Sequence, residues 1–204
     1  GTAQFVPISE LHPLAGQSPY SATKIAADQL AYSFFTSFEL PVVTMRPFNT
    51  FGPRQSLRAV IPTIISQLAS DASSLKLGDV SPTRDFTFVR DTVRGFIAGL
   101  ESQGCNGEVV NIGSNFEISI SDLVSVIAKI MGKEVSIATD RDRLRPRASE
   151  VKRLWADNSK AELLMNWTPE FSGLDGLVMA LKETISWFEE PAHLKLYKTG
   201  AYVT

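Results

Sequence analysis

Tyr20 and Lys24 stand four residues apart in Pro19-Tyr20-Ser21-Ala22-Thr23-Lys24. On a helix that spacing puts both side chains on one face. A free phenol with a pKa of about 10 is a poor base at neutral pH. An ammonium group a few ångströms away favours the phenolate, and the pair then suits proton exchange with a sugar or alcohol hydroxyl. An exposed helical pair without chemistry is the plainer alternative. A second cluster is cationic: residues 141–153 carry Arg141, Arg143, Arg145, Arg147, Lys152 and Arg153 against Asp142 and Glu150, a local charge of +4 in a chain of net charge −2. A planar guanidinium forks onto phosphate oxygens, so the run reads as a diphosphate site. A solvated surface strip is the bland reading, and a nucleic-acid patch a distant third. His12 and His193 have no ligand-like neighbours, which argues against a metal site. Cys105 sits in a turn between Gly104 and Asn106, with nothing beside it to make a nucleophile.

The elements that must position these residues alternate between helix and strand. Ser18 to Phe38 has apolar residues at Ala27, Leu30, Ala31, Phe34, Phe35 and Phe38, which is helical spacing with a face expected to be core. Val42 to Met45 is a short β-branched run expected as a buried strand, stopped by Pro47 and Gly52-Pro53. A helix is expected over Val60 to Ser70, strands near Ser74 to Leu77 and over Asp85 to Val89, and a helix over Asp91 to Leu100. Val109 to Ile112 reads as a strand. Ser119 or Ser121 caps a helix through Met131 that Gly132 ends. A strand over Glu134 to Ala138, a charged irregular stretch over Asp140 to Arg153, and an amphipathic helix from Leu174 to Phe188 follow. Alternating strands and helices indicate an α/β fold.

Composition agrees with a globular chain: 204 residues, 44% hydrophobic and 21% charged. One cysteine excludes an internal disulfide and suits a reducing, cytoplasmic compartment. The net charge of −2 argues against a general nucleic-acid or membrane-surface partner. No apolar run approaches the ~20 residues of a membrane span. Neither G-x-G-x-x-G nor G-x-x-x-x-G-K-[ST] occurs in the 204 residues.

Four segments in order, QSPYSATKIAADQL, RPFNTFGPRQ, RDFTFVRDTV and NIGSNFEISISDLV, resemble the extended short-chain dehydrogenase/reductases, and within them the NAD-dependent nucleotide-sugar epimerases and 4,6-dehydratases. The resemblance runs from Gly1 to about Phe188. AVIPTIISQ, the R-P-x-x-S-E-V arrangement of Arg145 to Val151, and ADNSKA are most similar to UDP-N-acetylglucosamine 4,6-dehydratases. The resemblance implies that Tyr20 is the catalytic tyrosine and that Lys24 holds the nicotinamide ribose and tunes it. Pro47 and Phe48 would lie beside the nicotinamide, Asn49 would contact the sugar nucleotide, and the loop around Val60 would wrap it. Arg84 would grip the ribose or diphosphate, and either Arg145 or Arg147 would be the second diphosphate ligand. For Arg84 a surface pair with Asp85 or Asp91 is the alternative, and for Asn49 a role as turn former.

In relatives the glycine-rich turn and the serine or threonine of the catalytic set precede the tyrosine motif, so the resemblance implies a C-terminal half. The expected architecture is the C-terminal part of a Rossmann-type parallel sheet with a smaller mixed α/β substrate domain. Residues 1–52, with parts of 80–115, would belong to the former and 53–190 mainly to the latter, leaving 191–204 as a tail. The implied parent is a homodimeric NAD-dependent 4,6-dehydratase acting on a UDP-sugar, this chain alone being inactive; the resemblance also offers, as the alternative to core packing for Phe34, Phe35 and Phe38, that their helix pairs with its symmetry mate in a four-helix dimer interface. A UDP-sugar 4-epimerase and a non-catalytic sugar-nucleotide binding module are the alternatives.

Overall fold

A computed structural model describes residues 1–70, 73–144, 146 and 150–194. Helix α1 (Pro19–Phe38) begins with a reciprocal cap. The Ser18 Oγ accepts the Ser21 amide at 3.1 Å, and the Ser18 amide donates to Ser21 Oγ at 3.0 Å, with Pro19 at the first helical position. Glu39, left-handed at φ 53°, ends it.

Strands β1 (Thr44–Pro47) and β2 (Asn49–Phe51) follow with one residue between them, yet they enter different sheets. Next come α2 (Val60–Ala69), β3 (Ser74–Leu77), β4 (Thr83–Phe88), α3 (Val89–Glu101), β5 (Val109–Ile112) and β6 (Glu117–Ser119). Then α4 (Ile120–Ile130), β7 (Ser136–Thr139), a 3₁₀ turn at Arg141–Arg143, β8 (Arg153–Leu154), α5 (Ser159–Met165), α6 (Gly173–Glu189) and α7 (Pro191–Leu194) complete the order. β1 pairs in parallel with β5, Thr44 opposite Val109. β4 is the hub of the second sheet, parallel to β2 and β8 and antiparallel to β6. β3 and β7 form a separate parallel pair.

The α/β expectation holds, and long periodic segments lie where their spacing put them. The cap of α4 is Ser119, whose Oγ accepts the Asp122 amide at 3.0 Å, and Gly132 takes φ +63° just past the helix end. The first strand is displaced from Val42–Met45 to Thr44–Pro47, because the ladder is set by the partner β5. Val42 still accepts the Gly107 amide at 2.7 Å, outside the ladder. β2, β6, β8 and α5 carry no periodic signal. The strands among them exist through pairing with β4.

Two apolar clusters form. The larger joins Phe51, Phe86 and Phe88 of the β4 sheet to the inner faces of α2, α4 and α6. The smaller gathers Val110, Ile112, Ala161 and Trp167 against Met45. The expectation that the phenylalanines of α1 are core is corrected. No residue of α1 is buried, and Phe34 and Phe38 are 43% and 72% exposed. An apolar stripe on a helix shows that a partner surface is favourable, but among the described residues α1 meets chiefly β1, through contacts that include the 2.7 Å Asp28–Arg46 ion pair. Of its three phenylalanines, Phe35 is the half-buried one and lies over Gly107.

Candidate active site

Two neighbouring cavities converge on the start of α1. Tyr20, at its second position, lines both. Its ring is 71% exposed, and the Lys24 Nζ lies 5.5 Å from the ring centroid, so the two side chains share a face as their spacing required. Lys24 itself lies outside the walls of both cavities.

The larger cavity, of about 610 Å³, runs among α1, the β2–α2 connection, β4 and the 3₁₀ turn. Asn49, Val60 and Arg84 line it with Tyr20, so four expected site residues meet there. Asn49 begins β2 and donates from Nδ2 to the Asp85 carbonyl of β4 at 3.1 Å, which fixes its amide and turns the other end to the cavity wall. Arg84 follows from strand alternation. Asp85 points inward at 0% exposure, and its neighbour projects to the cavity. Arg84 pairs with neither Asp85 nor Asp91. Its Nη2 donates to Glu150 at 3.0 Å and its Nη1 to the Thr83 carbonyl at 2.8 Å.

Sequence reasoning missed part of this wall. Gln55, Arg58, Gly78, Asp79 and Glu150 line the same cavity, and Arg143 reaches it after ion pairing with Asp140 at 3.0 Å. Gly78 is required by close approach, since a Cβ there would stand 2.7 Å from the Arg143 carbonyl oxygen. Among the described residues, three guanidinium groups thus line the cavity against two carboxylates. Asp79 is held below the ordinary carboxylate range, chiefly by the Ser81 amide and then its hydroxyl. The signal that pointed here was the Arg-Gln of RPFNTFGPRQ and the charged run; Glu150 was legible only as an opposing charge. Arg145 and Arg147 lie outside the described residues.

The smaller cavity, of about 440 Å³, is lined by Pro47 and Phe48 at the end of β1, with Asn49, Tyr20 and His12. His12 is fully engaged: Nε2 accepts the Gln4 amide at 2.8 Å and Nδ1 donates to the Pro13 carbonyl at 2.9 Å. Among the described residues no group of three His, Cys, Asp or Glu side chains converges as a metal site would need. No helix among the described residues is long and apolar enough to cross a membrane.

Comparison with known proteins places this arrangement. A family model described as GDP-mannose 4,6 dehydratase matches residues 1–179. The chain is 34% identical over 178 residues to a UDP-glucuronate 4-epimerase of Thermodesulfobacterium geofontis, covering 87% of this chain and 52% of the relative. It is 30% identical over 188 residues to the dTDP-D-glucose 4,6-dehydratase of Homo sapiens, covering 90% and 51%. The structure of a UDP-glucuronic acid 4-epimerase from Bacillus cereus, in complex with UDP-glucuronic acid and NAD, superposes with a TM-score of 0.82 at 32% identity. That match covers 97% of this chain and 59% of the other. The chain spans about half the length of the curated relatives it matches. With an α/β frame shared with these enzymes and a family model matching most of its length, the chain belongs to the GDP-mannose 4,6-dehydratase family of nucleotide-sugar dehydratases and epimerases.

Proposed function

We propose that this chain carries the substrate-binding and proton-transfer part of an NAD-dependent nucleotide-sugar 4,6-dehydratase. The observation that supports it most is Tyr20 standing where an arginine-lined cavity meets one lined by Pro47 and Phe48. A nucleoside diphosphate sugar has two anionic phosphates at one end and hydroxyls at the other. Arg84, with Arg58 and Arg143, faces the phosphates, and Glu150 holds the Arg84 fork in place. Arg145 and Arg147 belong to this reading as diphosphate ligands on the resemblance alone. Asn49 and the Val60 segment close on the nucleotide sugar from the β2–α2 side. Tyr20 takes the proton from the sugar O4 hydroxyl through its phenolic oxygen, with the Lys24 Nζ 5.5 Å from its ring centroid.

The residues of the smaller cavity suit the nicotinamide end of a dinucleotide. Phe48 and Pro47 offer a flat apolar wall, and Tyr20 with Lys24 stands beside it. No glycine-rich phosphate turn occurs in the 204 residues, so the fit extends to that end only. When bound, NAD supplies hydride acceptance at C4 and hydride return. In a dehydratase the returned hydride would go to C6 after loss of water across C5 and C6, and in an epimerase to the opposite face of C4. The epimerase reading is favoured by the UDP-glucuronate 4-epimerase relative. A binding module without redox chemistry is favoured by Tyr20 at 71% exposure and by Lys24 lying outside the cavity walls. The division into a cofactor part (1–52 with parts of 80–115) and a substrate part (53–190 mainly) goes with this reading on the resemblance alone, since the smaller apolar cluster joins Val110 and Ile112 of the former to Ala161 and Trp167 of the latter. So does a homodimer of the parent enzyme in the cytoplasm, its contact supported by the exposed Leu30, Phe34 and Phe38 of α1.

Calorimetric titration of the chain with UDP, dTDP and their glucose conjugates tests the reading. Binding of at least one is expected, with a roughly 10- to 100-fold loss in Arg84→Ala from its charge-assisted hydrogen bonds. Absence of binding to all four rejects it. NAD alone is expected to give no heat at micromolar concentrations, and micromolar affinity would show the cofactor part of the reading wrong.

A further inference from the structure

Tyr20, Lys24 and Asp28 follow one another at intervals of four, so all three lie on one face of α1. Lys24 thus stands between a phenol and a carboxylate, each one turn away. Helical side chains lean towards the N-terminus, which carries Lys24 towards Tyr20 and Asp28 towards Lys24. An ammonium and a carboxylate at that spacing ordinarily pair. Here they do not. The Lys24 Nζ lies 5.5 Å from the Tyr20 ring centroid, and among the described residues Lys24 makes no ion pair. Asp28 is engaged instead by Arg46 of β1, whose Nε donates to the Asp28 Oδ2 at 2.7 Å and whose Nη2 lies 2.7 Å from the same oxygen.

Two cations therefore compete for one carboxylate, and the chemistry favours Arg46. A guanidinium brings two N–H groups to the carboxylate in a fixed fork, whereas an ammonium is a strongly hydrated point charge on a flexible stem. The pair is also sheltered, the Arg46 side chain being 23% exposed and that of Asp28 19%. A sheltered carboxylate without a cation is costly, so Asp28 deprived of Arg46 would draw in Lys24, one turn before it. Arg46 acts from a fixed place, the β1 position opposite Asn111 and directly before Pro47 and Phe48. We propose that Arg46 is a positioning residue: by engaging Asp28 it leaves the Lys24 ammonium at Tyr20, where the proton transfer needs it. This rests on the nucleotide-sugar reading above.

The test follows the Lys24 side chain by NMR after reductive methylation with a carbon-13 label, which keeps the charge, and Lys24→Arg assigns its signal. The nearby aromatic ring displaces that signal from the range of exposed lysines. Arg46→Gln is expected to return it to that range, and Asp28→Asn to leave it displaced. The double variant Asp28→Asn/Arg46→Gln is expected to restore the displaced position, because no carboxylate remains to capture Lys24. A plain tether between α1 and β1 would give one result in all three variants, since each cuts the same contact, and that result overturns the proposal. An unmoved signal in Arg46→Gln overturns it too. Arg46→Lys, which keeps a cation without the fork, is expected to give an intermediate position, and its unmoved signal would overturn the proposal should Arg46→Gln not fold. These outcomes leave the nucleotide-sugar reading standing. If the unaltered chain binds none of UDP, dTDP and their glucose conjugates, that reading fails, and the role of Arg46 in proton transfer with it.

Discussion

Asp85 shows how one residue holds the candidate site together from behind. Its carboxylate accepts the Ser114 amide and hydroxyl, each at 2.7 Å, and the Ala156 amide at 3.1 Å, while its carbonyl accepts from Asn49. Burial pushes this carboxyl up, and the hydrogen bonds from Ser114 and Ala156 pull back in part. Asp85→Ala leaves several buried donors without an acceptor, a loss of about 3 kcal/mol. In a domain of this size that is a fall in Tm of roughly 6–12 °C, read by calorimetry. At the same scale, the chemistry of Tyr20, Asn49 and Arg84 was visible in residue type, but the hydrogen bonds that hold Gln17 to Thr2 and Gln55 to Thr50 were not. Which amide atom is engaged depends on Thr2 and Thr50 coming alongside, a matter of chain path rather than spacing.

At the scale of elements, α1 carries Tyr20 with little help from packing. Having no buried residue, it depends on its own cap more than a core helix does. Ser18→Ala removes the side-chain acceptor for the Ser21 amide and costs about 1 kcal/mol. Hydrogen exchange of the first turn is expected to quicken roughly 5-fold, with little change in α4 or α6. Where β5 gives way to β6, Asn158 clamps the main chain of Gly113, accepting its amide at 3.0 Å and donating to its carbonyl at 2.8 Å. A Cβ on Gly113 would strike Ala156 and stand 3.0 Å from the Asp85 carboxylate. Gly113→Ala is expected to destabilise by about 2 kcal/mol in urea unfolding, because neither neighbour is a flexible side-chain end.

At the scale of the whole molecule, charge decides the response to acid. The hydrogen bonds from Arg153 hold Glu117 below its ordinary range, against its partial burial, and Thr83 adds a hydroxyl at 2.5 Å. A depressed folded-state pKa means the unfolded chain binds the proton first, so this stabilisation is present above the unfolded value of about 4.3 and lost as pH falls through the folded one. Asp85 slopes the other way: with its folded-state pKa raised, its contribution is present below the unfolded value and lost as pH rises through the folded one. Glu117→Gln is expected to flatten the acid limb of stability between about pH 5 and 3, measured by denaturant midpoints at stepped pH. An unaltered limb would show that Glu117 does not contribute there.

The sequence by itself determined the α/β class, the long helices with a cap at Ser119 or Ser121 and a stop at Gly132, and the residue types of the tyrosine, lysine and arginine chemistry. These follow from periodicities of two and 3.6 and from side-chain chemistry, both local. Only the tertiary structure decided that α1 leaves Phe34 and Phe38 exposed, that β1 starts at Thr44, and that Arg84 turns to Glu150 rather than Asp85. Those outcomes hang on which surfaces meet across 18 to 66 residues of chain, as in Asp28–Arg46 and Arg84–Glu150, and no local pattern encodes such meetings.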